Sequence, residues 1–241
     1  DICDRRYGVG ADGLMLLESG DGCDFRMTYF NSDGSGGMMC GNGGRCIVAF
    51  AADLGITHFD FIAADGFHSA EIVASEGKSK VVRLKMKDVS GITRYETLSC
   101  VQVPSKGSFL DTGTRHYVRF VEAVDEYDIV SEGREIRYNA PELQPIGANV
   151  NFVQPSSGVL KVRTYEKGVE DETFACGTGI VASAMASYAH GVRPRIGESE
   201  DGHISAMYTV HAKRDILAVS FDVNPSEQWS VKNVWLTGPA A

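Results

Sequence analysis

Apolar and polar positions alternate with a period of two in several short stretches. Val82, Leu84 and Met86 alternate with Arg83, Lys85 and Lys87, and Leu160 and Val162 alternate with Lys161 and Arg163. Leu217, Val219, Phe221 and Val223 alternate with smaller or polar residues, and Val118 and Phe120 flank Arg119. This period predicts strands that turn one face to a core. Two stretches behave differently. Gly44 to Leu54 and Ile180 to His190 are rich in Ala, Ile and Val, are apolar on nearly all sides apart from residues such as Arg45 and Asp53, and are each followed by a glycine. They predict helices enclosed by sheet and closed by Gly55 and Gly191. A surface helix is expected between Glu126 and Tyr138. Many short antiparallel strands with few helices define an α+β chain.

The two apolar helices are opened by related sequences, MCGNGGRCIVAFAADLGI and ACGTGIVASAMASYAHGV. Cys40 and Cys176 stand 136 positions apart (176 − 40), and at that offset Gly41 meets Gly177, Gly43 meets Gly179, Gly55 meets Gly191, and Thr28-Tyr29 meets Thr164-Tyr165. The period is too long for a solenoid. It predicts a duplication: two pseudo-symmetric domains, each a mostly antiparallel sheet wrapped around a central buried helix. Residues 1–103 form the half with the Cys40 motif and 104–232 the half with the Cys176 motif, joined near the breaker cluster at Val101 to Lys106. Residues 233–241 are expected to return toward the first half.

The chain has 241 residues, with 43% hydrophobic and 23% charged positions, the balance of a globular protein. A net charge of −9 disfavours nucleic acid and anionic membranes as partners. No apolar run is long enough to span a bilayer. The charged opening DICDRRYGVG does not read as a secretory signal, and the missing initiator Met points to a trimmed form. Six cysteines lack CxxC or zinc-finger spacing, which favours reduced thiols in the cytoplasm.

A cysteine just before a helix sits where unpaired N–H groups point outward and the helix carries partial positive charge. Both favour thiolate, lowering a thiol from about 8.5 toward 7 or below. The same N–H groups hold a carboxylate, and glycines let it approach the backbone. A lone cysteine reads more simply as a small buried hydrophobe. Equivalent placement of Cys40 and Cys176 in two repeats changes that reading. If the halves face each other, two thiols oppose across one cleft and two helix starts converge on one anion. That arrangement suits inversion of a stereocentre, with one group removing a proton and the other delivering one to the opposite face. Cys46 lies inside the first helix with Ala182 as its counterpart, and reads as packing. Cys3, Cys23 and Cys100 carry no assigned role.

At these residues the chain resembles the diaminopimelate epimerase family, cofactor-independent amino-acid epimerases of bacterial lysine and cell-wall precursor synthesis. YGVGADGLMLLE, FNSDGSGGMMCGNGGRC, ANVNFV, RTYEKGVEDETFACGTG and WLTGPA follow the family in order. The resemblance implies that Cys40 and Cys176 are the catalytic acid/base pair. It implies that Gly41-Asn42 and Gly177-Thr178 hold the substrate α-carboxylate, that Asn31 and Asn149 bind substrate, and that Glu166 and Lys167 contact its amino group. His116 and Glu166 match residues that tune the thiols, although His116 also shares a strand face with Val118 and Phe120. The resemblance implies no metal and no pyridoxal phosphate, a small amino acid as partner, and a homodimer as the assembly to test. Where the family reads Gly-Asn-Pro-His this chain has Gly113-Thr114-Arg115-His116, with a charge added at Arg115. Some members carry Gln at the place of Gly13, Lys167 replaces an Arg, and the loop from Glu166 to Cys176 is one residue longer. The family's N-terminal strand and its closing strand after Gly238-Pro239 are missing, so the active polypeptide is expected to extend beyond these ends.

Three other readings stay open on the residues alone. A proline or hydroxyproline racemase on the same scaffold would share the second motif. A hydrolase or transferase would use one cysteine as nucleophile with a His base. A non-catalytic anion-binding module would use the helix starts alone.

Overall fold

A computed structural model describes residues 2–37, 40–101, 103–198, 204–223 and 230–240. The chain divides into two units, Asp1–Lys85 with Thr237–Ala241, and Met86–Leu236. In the first unit β1 (Gly13–Glu18) pairs antiparallel with β2 (Phe25–Asn31). Helix α1 (Gly41–Asp53) then carries the chain to β3 (Phe59–Ala63), which lies parallel to β2. A parallel pair needs such a crossover. The antiparallel strands β4 (Gly66–Glu76) and β5 (Ser79–Lys85) follow. Phe25 opposes Phe61 across the parallel pair, with stacked rings 4.9 Å apart. Met27, Ile47, Val48, Ala51, Val82 and Leu84 are also buried in this unit.

In the second unit β6 (Thr93–Tyr95), β7 (Gly107–Asp111) and β8 (Arg115–Phe120) run antiparallel. Helix α2 (Ile129–Asn139) lies between β8 and its parallel neighbour β9 (Asn149–Ser156), and β10 (Val159–Glu166) pairs antiparallel with β9. The short β11 (Asp171–Thr173) folds back on the end of β10. Helix α3 (Gly177–Ala189) leads to β12 (Arg195–Glu198) and β13 (Ile204–His211), and β13 is parallel to β10. The antiparallel β14 (Ile216–Val223) is followed by β15 (Val231–Ala240). The architecture is α+β, with much sheet and few helices among the described residues.

Both motif helices start three residues earlier than the apolar pattern alone indicates, at the first glycine after the cysteine. Both end alike. Gly55 and Gly191 adopt φ of 87° and 79°. Ile56 N–H donates to Ala51 C=O and Gly55 N–H to Ala52 C=O, and Val192 and Gly191 repeat this on Ser187 and Tyr188. This paired bonding is the Schellman ending that a left-handed glycine permits.

Four expectations need correction. Helix α3 is enclosed as expected, but α1 exposes Asn42, Cys46 and Phe50 along one stripe, so Cys46 does not pack in the core. Strand β8 is not amphipathic, because Arg119 is buried: its guanidinium meets Glu132, donates to Ser105 Oγ at 2.7 Å and to Val103 C=O at 3.0 Å. A buried charge persists when paired and fully hydrogen-bonded in this way. The same bonds pin the expected junction at Val101 to Lys106 inside the second unit (Gln102 lies outside the described residues). The division falls instead after Lys85, because Met86 and Val89 bond to Val234 and Val231 and Leu98 joins the second unit's core. The segment near Glu126 forms an α-helix only from Ile129, capped by Asp128, whose side chain accepts from Ser131 N–H at 3.1 Å.

Candidate active site

Each cysteine of the repeat is the N-cap of its crossover helix. In the first unit Cys40 is exposed and its Sγ accepts the Gly43 N–H at 3.3 Å, while its carbonyl accepts the Gly44 N–H at 2.8 Å. Gly43 allows this tight turn, since a Cβ there would stand 3.2 Å from Met15 Sδ and 3.4 Å from Cys40 Sγ. Gly41 and Asn42 form the first helical turn. Arg45, nearly buried, folds back over that turn and donates to Gly41 C=O and Asn42 Oδ1, each at 3.1 Å, and to Pro239 C=O at 3.3 Å. It fixes the Asn42 amide. Asn31, at the end of β2, is exposed and donates to Ser35 Oγ at 3.0 Å.

In the second unit Cys176 is 8% exposed, and its Sγ lies 3.5 Å from Thr178 Oγ1. Gly177 and Thr178 open α3. The turn between β7 and β8 braces that first turn, because Thr112 Oγ1 donates to Thr178 C=O at 3.0 Å. Gly113 in this turn has φ of 106°, a conformation suited to glycine. Thr114 follows it and lies 3.0 Å from Thr178 Oγ1 and 2.8 Å from His116 Nε2. His116 is fully buried, with Nε2 also 3.0 Å from Thr178 Oγ1. Burial drives its pKa down to about 3 against the opposing pull of Asp111. The ring is therefore neutral at pH 7.

Asn149 and Glu166 lie on neighbouring strands. Asn149 is nearly buried, donates to Arg115 C=O at 3.1 Å and accepts the Lys167 N–H at 2.8 Å. Its amide thus fixes the turn after β10. Burial pushes the Glu166 carboxyl above its ordinary range. Lys167 has an exposed side chain. Arg115 donates to Leu143 C=O at 3.2 Å and stacks over Phe109, 4.9 Å from the ring centre.

The first unit therefore gathers Cys40, Gly41 and Asn42, with Asn31 at the end of β2. The second gathers Cys176, Gly177, Thr178 and His116, with Asn149 anchoring the turn that carries Glu166 and Lys167. Sequence reasoning missed Arg45 and Thr112, and it missed Asn151, 3.1 Å from His116 Nδ1, with Thr164, whose hydroxyl donates to Asn151 Oδ1. The available signal was polarity out of place: Arg45 in an apolar helix, and Asn151 between Val150 and Phe152.

The fold is shared with solved structures. The chain superposes on the Bacillus anthracis phenazine biosynthesis protein of the PhzF family with a TM-score of 0.66, at 12% identity, over 97% of this chain and 82% of that one. It superposes on methylitaconate-delta-isomerase with a TM-score of 0.60, at 13% identity, over 99% and 82%. The sequence model described as diaminopimelate epimerase matches residues 1–88 and 108–203. The diaminopimelate epimerase of Flavobacterium psychrophilum is 41% identical over 99% of this chain and 84% of its own length. That of Chlorobaculum tepidum is 44% identical over 79% and 72%. The chain belongs to the diaminopimelate epimerase family.

Proposed function

We infer that this chain interconverts L,L- and meso-diaminopimelate by proton transfer between cysteine sulfurs and the substrate α-carbon. Family membership carries the substrate. The observation that carries the mechanism is that each unit places a cysteine at the start of its own crossover helix, beside glycines and hydrogen-bond donors. In each direction one thiolate takes the α-proton, so a C–H bond breaks and an S–H bond forms. The other thiol gives its proton to the opposite face, restoring C–H with inverted configuration. The electron pair left at Cα moves into the α-carboxylate, which the helix-start amides of Gly41-Asn42 and Gly177-Thr178 stabilise as charge develops. Asn31 and Asn149 orient the substrate, and Glu166 and Lys167 face its amino group. No step calls for a metal or organic cofactor.

The 136-residue offset and the crossover helices α1 and α3, each spanning a parallel strand pair, support reading the units as pseudo-symmetric copies. Thiols that must stay reduced suit the cytoplasm. Among the described residues no helix is long and apolar enough to cross a membrane. Homodimer formation belongs to the same proposal and is measured directly by sedimentation.

Two single variants test the mechanism. Cys40→Ala and Cys176→Ala are each expected to lower kcat by about 10²–10⁴-fold, the span of one acid/base group. Survival of activity in either variant contradicts the two-thiol scheme and returns the single-nucleophile reading. Exchange of the α-proton of proline, but not of diaminopimelate, would instead assign the racemase substrate.

A further inference from the structure

Strand β9 carries a second asparagine, Asn151, which is fully buried and takes no part in the proton transfer proposed for the two cysteines. Its amide nitrogen lies 3.3 Å from Tyr117 C=O and 3.1 Å from His116 Nδ1. Its oxygen accepts the Thr164 hydroxyl at 2.9 Å. A carbonyl oxygen only accepts, so the group facing Tyr117 C=O is the NH₂. The same NH₂ faces His116 Nδ1, which must then be the acceptor. A neutral imidazole that accepts at Nδ1 carries its proton on Nε2.

That proton orients the hydroxyls beyond it. His116 Nε2–H meets Thr114 Oγ1 at 2.8 Å and Thr178 Oγ1 at 3.0 Å, and the two hydroxyls are 3.0 Å apart. Whether His116 donates to Thr178 directly or by way of Thr114, the Thr178 oxygen receives a hydrogen bond. Where that bond comes by way of Thr114, the Thr178 proton is left to point at Cys176 Sγ, 3.5 Å away. His116 is thereby a donor at the head of a chain ending on sulfur, and its Nε2 is not a base for the thiol. The helix is shaped to admit this asparagine, because a Cβ on Gly179 would stand 2.3 Å from Asn151 Oδ1. Asp111, from β7, is the carboxylate that acts on the ring, and Cys176, from α3, is the titratable group at the end of the chain.

We propose that Asn151 is a positioning residue of the second half-site: its amide holds His116 as the Nε2–H tautomer, so that the Thr114 and Thr178 hydroxyls donate toward Cys176 Sγ. The functional consequence rests on Cys176 as an acid/base group, and the tautomer does not. With ¹⁵N-histidine labelling at pH 7, two-bond correlation spectra are expected to show a pyridine-type Nδ1 and a pyrrole-type Nε2 for His116. A pyrrole-type Nδ1 in the unaltered protein overturns the proposal, and that measurement needs no variant to fold. Asn151→Asp replaces the donor by an acceptor and is expected to move the proton to Nδ1. In that variant kcat should drop about tenfold with KM little changed, and iodoacetamide should alkylate Cys176, followed by peptide mass, about tenfold more slowly at pH 7. Thr178→Val should slow alkylation alike while leaving the tautomer as it was, and Thr178→Ser should restore the rate. Unchanged tautomer and alkylation in Asn151→Asp contradict the proposal. Full activity in Cys176→Ala contradicts the acid/base reading instead, whatever the tautomer.

Discussion

The His116 ring is buried among strands and stays uncharged down to about pH 3. In the unfolded chain the same ring takes up a proton near pH 6.5. Between those values the unfolded state binds more protons, so stability rises with pH and is lost as pH falls through that window. The slope is about 1.4 kcal/mol per pH unit for one group. His116→Gln is therefore expected to lose about 2 kcal/mol less than the unaltered protein between pH 7 and pH 5, read from urea midpoints at the two values. An identical acid dependence in the variant would show that the ring is not held neutral. At this scale the two helix-capping cysteines were legible, because the Cys-Gly-x-Gly motif recurs at a fixed offset. The residues that orient them were not. Asn151 and Thr164 act through contacts between strands, and Arg45 acts by folding back on its own helix start, where its charge simply reads as an interruption of an apolar helix.

Helices α1 and α3 owe their boundaries to glycines at both ends. The closing glycines were legible as caps, and their left-handed φ values agree. Gly55→Ala and Gly191→Ala each place a Cβ in that region and are expected to cost about 1–2 kcal/mol, measured by chemical denaturation. Neither position has a neighbour within 4 Å of an added Cβ, so the cost isolates backbone strain. A neutral result at both would mean that the helix ends relax. Gly179→Ala differs in kind: its Cβ would strike Asn151 Oδ1 at 2.3 Å, so activity should fall along with stability. The strands illustrate what alternation reveals and hides. β5, β10 and β14 bury the residues the pattern selects. β8 defeated the pattern because a buried arginine paired with α2 looks, in sequence, like a solvent-facing one.

Across the whole molecule, the two Cys-Gly-x-Gly motifs recur in one local arrangement. β2–α1–β3 and β10–α3–β13 are each a parallel pair joined through a cysteine-capped helix. The domain boundary was misread because composition marks a flexible-looking stretch near Val101, whereas packing of Leu98 and the hydrogen bonds of Arg119 decide which unit owns it. The chain belongs to the diaminopimelate epimerase family, and the scheme proposed for the two helix-start thiols makes the reaction a proton exchange at carbon. That exchange is read most directly by incubating the reduced enzyme with L,L-diaminopimelate in D₂O. The account predicts meso product carrying deuterium at the inverted α-carbon, formed about 10²–10⁴-fold more slowly by Cys40→Ala and Cys176→Ala alike. Meso product that forms without solvent deuterium, or at an undiminished rate with either cysteine removed, would contradict it.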